Sequence, residues 1–322
     1  MLKIGVAGLG GMGRVHVTTY SHIADCAVAA ACDASPAGRE FARERGIPCY
    51  ESLPEMLGAE SLDLVDICTP SFLHREHATE ALRKGLHVIC EKPLALKGAD
   101  AREMYALAEE RGLQLMAGQV LQFSGAGRLL HTLVESGRFG RALDAVFLRL
   151  SACPKWARDG WLFDKDKSGL LPFDLHIHDL DMVISLFGIP EDFQVISGGR
   201  EGLGYKEHCR FLYRYPALNV ECEAAWFNAD IPFTATWRVY FENAVLVYDG
   251  AGATAYRFDH PPEKFDTEDR IKVPTGINLP PTGMFYEELS YFTDRVRKGG
   301  TAQYRKDEII GLIELLEKIG RE

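Results

Sequence analysis

Three groups of residues in this sequence could carry chemistry. The first is Gly8-Leu9-Gly10-Gly11-Met12-Gly13, a G-x-G-x-x-G run directly behind the apolar segment 2–7 and ahead of a helical pattern. The first glycine permits a tight turn, the second lets a pyrophosphate reach the backbone, and the third lets the helix pack close to the strand. The helix N-terminus then presents unsatisfied N–H groups and the positive end of its dipole to the phosphates. Gly8, Gly10, Gly11, Met12 and Gly13 are therefore expected to cradle a dinucleotide. Any glycine-rich turn can match so short a pattern, and its place at the head of a strand–turn–helix unit is what makes it specific. Asp33 ends the next apolar run, twenty residues after Gly13. A carboxylate there can accept from adenosine ribose hydroxyls and repel a 2′-phosphate, which favours NAD over NADP. Asp33 can equally cap the helix that begins near Ser35, and Arg39 close by leaves NADP open.

The second group is Asp174-Leu175-His176-Ile177-His178-Asp179-Leu180-Asp181. Asp174 and His178 stand four residues apart and so share a face of a helix. That suits a general acid–base histidine with a carboxylate to orient or charge it. Asp181 is expected as a further partner of His178. His176 and His178 with a neighbouring Asp could instead hold a metal. The third and fourth ligands are not evident, so no metal is expected. His176 reads as a solvated residue or a pocket rim. The third group is Glu91-Lys92-Pro93, behind the apolar run 87–90. By residue type alone, Lys92 is an ordinary surface lysine.

The elements that must position these residues follow from periodicity. Short apolar runs at 2–7, 27–32, 62–68, 87–90 and 113–117 alternate with helical stretches. Strands apolar on both faces, separated by helices, predict an α/β Rossmann fold, a doubly wound parallel sheet. Beyond Gln119 the texture changes, and from Phe193 to Tyr256 the period becomes two. Leu218, Val220, Cys222, Ala224 and Trp226 alternate with Asn219, Glu221 and Glu223. This predicts an open, mostly antiparallel sheet with one apolar and one mixed face, in an α+β domain. The expected division is a dinucleotide-binding domain over 1–120 and a substrate-binding and oligomerisation domain over 121–322.

The 322 residues suit two domains at about 150 residues each. With 36 Lys+Arg against 46 Asp+Glu, the net charge of −10 disfavours nucleic acid as a partner. No apolar run approaches the ~18 residues of a membrane span, and the N-terminus lacks the apolar core of a signal peptide. Eight scattered cysteines without a Cys-x-x-Cys read as reduced thiols, hence a cytoplasmic protein.

Two further segments make the pattern specific. Cys68-Thr69-Pro70-Ser71-Phe72-Leu73-His74 follows one apolar run, and Glu91-Lys92-Pro93 follows another. With the glycine loop, they resemble the Gfo/Idh/MocA oxidoreductases, which include inositol and glucose-type dehydrogenases, over essentially the whole chain. The resemblance implies that Thr69, Pro70, His74 and Glu91 lie beside the dinucleotide. It implies that Lys92 reaches the substrate hydroxyl and the nicotinamide ribose, and that the Lys92–Pro93 bond is cis. Asp174 and His178 are similar to the family's Asp-x-x-x-His element, which implies that both bind substrate hydroxyls and that His178 exchanges the proton. In Gln119–Phe123 the chain departs from the family, where Arg often stands in place of Gln122, and glutamine cannot replace that positive fork. Gln119, Trp156 and Trp161, with Arg158, are expected around a sugar-sized pocket, although the tryptophans could simply pack under a loop.

The implied function is hydride transfer between a nicotinamide cofactor (NAD, with NADP open) and a secondary alcohol or ketone of a sugar, polyol or inositol. A homodimer or homotetramer is implied for the assembly. One rival is an NAD-dependent glycosidase-type enzyme on the same scaffold. The other is a dinucleotide sensor without turnover, against which the set Lys92, Asp174 and His178 argues.

Overall fold

The computed structural model describes residues 1–277, 279–300 and 302–321, and the Arg158 side chain lies outside what is described. Six apolar runs form parallel strands: β1 (Leu2–Ala7), β2 (Cys26–Cys32), β3 (Cys49–Tyr50), β4 (Leu64–Ile67), β5 (His87–Glu91) and β6 (Leu115–Gly118). Between them run α1 (Gly11–Tyr20), α2 (Pro36–Arg43), α3 (Leu53–Ala59), α4 (His74–Arg83) and α5 (Gly98–Glu110). The sheet order is β3-β2-β1-β4-β5-β6, the doubly wound arrangement. Val6, Ile67 and Ile89 are fully buried, as strands covered on both faces require. Strand order reverses between β1 and β4, so the loops leaving their carboxyl ends border the crevice where such sheets bind ligands. The short pair β3 and α3 escaped the sequence reading, because two strand residues leave no period to detect.

The second sheet is built after α6 (Gly125–Glu135) from β7 (Ala142–Ala152), followed by α7 (Lys165–Ser168) and α8 (Ile177–Phe187). It continues with β8 (Asp192–Gly198), β9 (His208–Tyr215), β10 (Leu218–Phe227), β11 (Thr234–Phe241), β12 (Ala244–Tyr248), β13 (Ala253–Tyr256) and β14 (Glu263–Phe265). The order is β14-β13-β12-β11-β7-β10-β9-β8. One pairing, β10 with β7, is parallel; the others are antiparallel. Trp226, Cys222, Phe211 and Val239 are buried, while Ile196, Tyr240 and Tyr256 are exposed on the opposite face.

The chain closes with α9 (Met284–Lys298) and α10 (Lys306–Ile319). The first compact unit comprises Met1–Val120 and Asp269–Ile313, and the second Leu121–Glu268 with the residues from Glu314 onward. Residues 269–313 return to the parallel sheet through long-range contacts that no local pattern encodes. Gln303 accepts from Leu115 N at 2.9 Å and donates to Leu113 O at 2.8 Å, extending the edge of β6. Lys306 reaches Glu109 at 2.7 Å, and Phe285 on α9 lies 6.1 Å from the His16 ring on α1. No described helix is long and apolar enough to cross a membrane.

Candidate active site

The glycine loop leaves β1 and opens α1. Gly8 has φ +90°, a conformation side chains resist, and a Cβ there would stand 2.7 Å from the Cys68 carbonyl oxygen. A Cβ on Gly13 would stand 1.8 Å from the Gly8 carbonyl oxygen, so only glycine lets helix and strand approach this closely. Gly10 and Gly11 are exposed, Met12 is half-buried, and a Cβ on Gly10 would meet nothing within 4 Å. The open backbone at the helix N-terminus fits a dinucleotide pyrophosphate. Asp33, at the end of β2, accepts from Leu9 N at 2.6 Å and from Ser35 N at 2.7 Å, tying the glycine loop to the start of α2. Arg39 donates to the Asp33 and Ala34 carbonyls at 3.0 and 2.9 Å.

At the ends of β4 and β5 the Thr69 and Lys92 segments are joined by His74. This ring is 1% exposed, with Nδ1 2.7 Å from the Pro93 carbonyl oxygen and Nε2 2.7 Å from that of Thr69. Burial pulls its pKa down, the two carbonyls pull it up, and the net shift is downward. His74 thus braces two loops from inside. Thr69 Oγ1 lies 3.1 Å from His77 Nδ1, and Pro70 precedes the single turn Ser71–Leu73. The Lys92–Pro93 peptide is cis. Lys92 is half-buried, and its N–H donates to Glu91 Oε2 at 3.0 Å. Gln119, behind β6, is 2% exposed, and both its amide atoms are buried without a hydrogen-bond partner. Such a group is destabilising by about 1–3 kcal/mol unless a ligand satisfies it.

Beneath these loops is a cluster the sequence reading missed. His16 on α1 and Asp66 on β4 are both fully buried, with His16 Nδ1 2.8 Å from Asp66 Oδ2. Tyr20 donates to the same Oδ2 at 2.8 Å, and Cys68 donates to Oδ1 at 3.5 Å. His16 Nε2 lies 3.3 Å from Glu91 Oε1. Burial opposes charge on His16, but Asp66 and Cys68 together more than compensate, and its pKa ends well above the ordinary value. Burial pushes Glu91 up, His16 pulls it down, and the net shift is downward. One donor atom each from His16, Asp66 and Cys68 lies within 4.8 Å of the others, yet the contacts have hydrogen-bond lengths, so protons bridge them. The available signal was a polar residue inside each of two apolar patterns.

In the second unit the helix carrying Asp174 and His178 starts differently from expectation. Pro172–His176 is a π-turn, and regular α-helix begins at Ile177. Such π-turns recur at functional sites, and here Asp174 sits within one, four residues before His178. Both side chains are half-buried. His176 is neither solvated nor a rim residue. It is fully buried, its ring stacks on Phe211 at 3.8 Å, and Nε2 lies 2.6 Å from the Tyr213 hydroxyl. Burial, then Arg149, lowers its pKa to about 3. Asp179 instead takes a buried, two-pronged bond from Arg149 at 2.8 and 2.9 Å. Asp181 accepts from Gln122 Nε2 at 2.6 Å, and His131 lies 2.8 Å from Gln122 Oε1. The residue that departs from the family pattern therefore faces a buried carboxylate. Trp156 is 63% exposed and meets Trp161 edge-on, with ring centroids 6.3 Å apart.

Comparison with known proteins bears on the family and the fold. Residues 2–119 match a family model described as "Oxidoreductase family, NAD-binding Rossmann fold", and residues 128–247 match the "GFO/IDH/MocA C-terminal domain". The chain is 31% identical over 199 residues to 2,7-anhydro-N-acetylneuraminate hydratase of Escherichia coli (strain K12), covering 62% of this chain and 53% of that protein. It is 35% identical over 146 residues to 1,5-anhydro-D-fructose reductase of Ensifer adhaerens, covering 45% and 44%. The chain thus spans about half the length of the curated relatives it matches. A solved levoglucosan dehydrogenase, in complex with NADH and levoglucosan, shares the fold with TM-score 0.82 at 21% identity, covering 98% of this chain and 95% of that one.

Proposed function

Since the chain belongs to the Gfo/Idh/MocA oxidoreductase family, with an NAD-binding Rossmann domain, we propose that it oxidises a secondary alcohol of a sugar or polyol, or reduces the matching ketone. The observation that carries this reading is the set of loops at the carboxyl ends of β1, β4 and β5. The glycine loop behind β1, the half-buried Lys92 behind β5 and the buried, unpartnered amide of Gln119 behind β6 all stand at the carboxyl ends of one parallel sheet. Bound NAD would supply the hydride acceptor. Gly8 to Gly13 would hold its pyrophosphate and Asp33 its adenosine ribose, which favours NAD over NADP. Lys92 would donate to the reacting oxygen and polarise it, His178 would take up the hydroxyl proton, and Asp174 would orient the substrate and stabilise charged His178. Inositol belongs to the same substrate class. The mixed sheet face with Ile196, Tyr240 and Tyr256 would join copies of the chain in a homodimer or homotetramer, working in the cytoplasm.

The test is a panel of sugars, polyols and inositols assayed with NAD and NADP by nicotinamide absorbance. Net NADH formation is the expected result, and an inactive panel with tight NADH binding would favour the sensor. A second reading draws on the relative named a hydratase. There, oxidation would be transient, and product would accumulate with no net change in NADH.

A further inference from the structure

We propose that His16 is a positioning residue for Lys92, a buried imidazolium clamped between the carboxylates of Asp66 and Glu91 that locks the end of β5 to the helix opening at the glycine loop. The case begins with proton counting. A neutral imidazole has one N–H and one lone pair. Both His16 nitrogens face carboxylate oxygens, Nδ1 at 2.8 Å from Asp66 and Nε2 at 3.3 Å from Glu91, and the ring has no exposed surface. A lone pair aimed at a buried carboxylate would be repelled, whereas a doubly protonated ring donates to Asp66 and stands as an ion pair against Glu91. The other groups around the ring fit this assignment. The Tyr20 hydroxyl and the Cys68 thiol both donate to Asp66, at 2.8 and 3.5 Å, which leaves that carboxylate ionised. Phe285 walls the ring at 6.1 Å and excludes water without competing for its protons.

The clamp reaches Lys92 through one residue. Glu91 Oε1 faces His16, and Glu91 Oε2 accepts the N–H of Lys92 at 3.0 Å. A carboxylate held on one side by the imidazolium thus fixes the backbone from which the Lys92 side chain springs. His16 lies three residues beyond Gly13, so the helix that opens at the cradle also carries the clamp. Cofactor cradle and Lys92 are thereby held in one register, which matters because a misplacement of 1 Å can cost about 10²-fold in rate.

This inference rests on the assignment of Lys92 to the reacting oxygen, and the experiment separates the two. Histidine-selective ¹⁵N labelling of the full chain, with the His16 signal identified by its loss in His16→Gln, reads ring protonation without any turnover. Both nitrogens should carry protons at pH 8, and in Glu91→Gln the ring should lose a proton at lower pH than in the wild type. A singly protonated wild-type ring at pH 8 overturns the clamp whatever Lys92 does. The second arm is a double-mutant cycle on the panel sugar that the wild type turns over fastest. His16→Gln alone should lower kcat by about 10–10²-fold with NADH affinity, by calorimetry, within a few-fold of wild type. In the Lys92→Met background it should cause little further loss, because it acts through Lys92. A full additional loss in that background would mean a general structural role and overturn the proposal. If His16→Gln does not fold, Glu91→Gln takes its place in the cycle with the same expected outcomes. A Lys92→Met variant of normal activity would remove the Lys92 assignment while leaving the protonation result to stand.

Discussion

His16 and His176 are equally buried, with no exposed surface on either, yet they are held in opposite states. His16 lies between two carboxylates, and against burial Asp66 with Cys68 raises its pKa well above the ordinary value. His176 is stacked on Phe211 and paired with the Tyr213 hydroxyl, and its pKa is lowered to about 3. Burial opposes charge in both, so the partners decide. Beneath Lys92 the first unit has an electrostatic floor that stays charged. Next to Asp174 and His178 in the chain, the second unit carries an uncharged His176 ring stacked on Phe211, beside a buried Arg149–Asp179 ion pair. A buried histidine near a reacting group is therefore evidence of acid–base capacity only once its neighbours are counted.

The contrast can be tested region by region. The largest effect is expected where side chains meet the reacting oxygen. Lys92→Met and His178→Asn should each lower turnover by about 10²–10⁴-fold, with NADH affinity by calorimetry nearly unchanged. Near-normal turnover in His178→Asn, with an unaltered pH profile, would return that helix to substrate binding alone.

Next comes acid stability. The unfolded chain protonates His176 below about pH 6.5, while the folded protein resists until about pH 3. Stability linked to this residue is complete above that window and is lost as pH falls through it, at about 1.4 kcal/mol per unit. His16 has the opposite sign: its contribution is present below about pH 6.5 and fades as pH rises through its elevated folded value. Urea unfolding of wild type and His176→Phe across this range should show an acid limb shallower by one proton in the variant. Equal limbs would end the contrast between the two histidines.

A smaller and more local change is expected from Gly13→Ala. Its Cβ would press on the Gly8 carbonyl oxygen at 1.8 Å, and overpacking of this kind costs about 1–3 kcal/mol. Lower thermal stability and weaker NADH binding should follow, with the His176 titration untouched. The smallest effect is on cofactor choice. Asp33→Ala should narrow the preference for NADH over NADPH by about tenfold, or 1.4 kcal/mol, in parallel calorimetric titrations. Since Asp33 also receives Leu9 N and Ser35 N, some loss of affinity for both cofactors is expected.

The sequence alone determined the features with a local cause. Apolar runs covered on both faces required a parallel sheet, and alternation along Leu218–Phe227 required a sheet with two unlike faces. The glycine loop was legible because its spacing meets a steric need, as the blocked Cβ positions of Gly8 and Gly13 show. Tertiary structure decided what depends on distant partners. Residues 269–313 join the first unit through contacts such as Gln303 to β6, which leave no trace in a local pattern. Gln122 turned out to face Asp181, and His176 to be a neutral stacked ring, because side-chain surroundings are assembled from strands and helices far apart in the chain. The same holds for His16, Asp66 and Glu91, which lie on α1, β4 and β5 and meet only when α1 packs on the paired strands. Local periodicity can mark a histidine as buried, but its charge is set by whichever carboxylates the fold delivers to it.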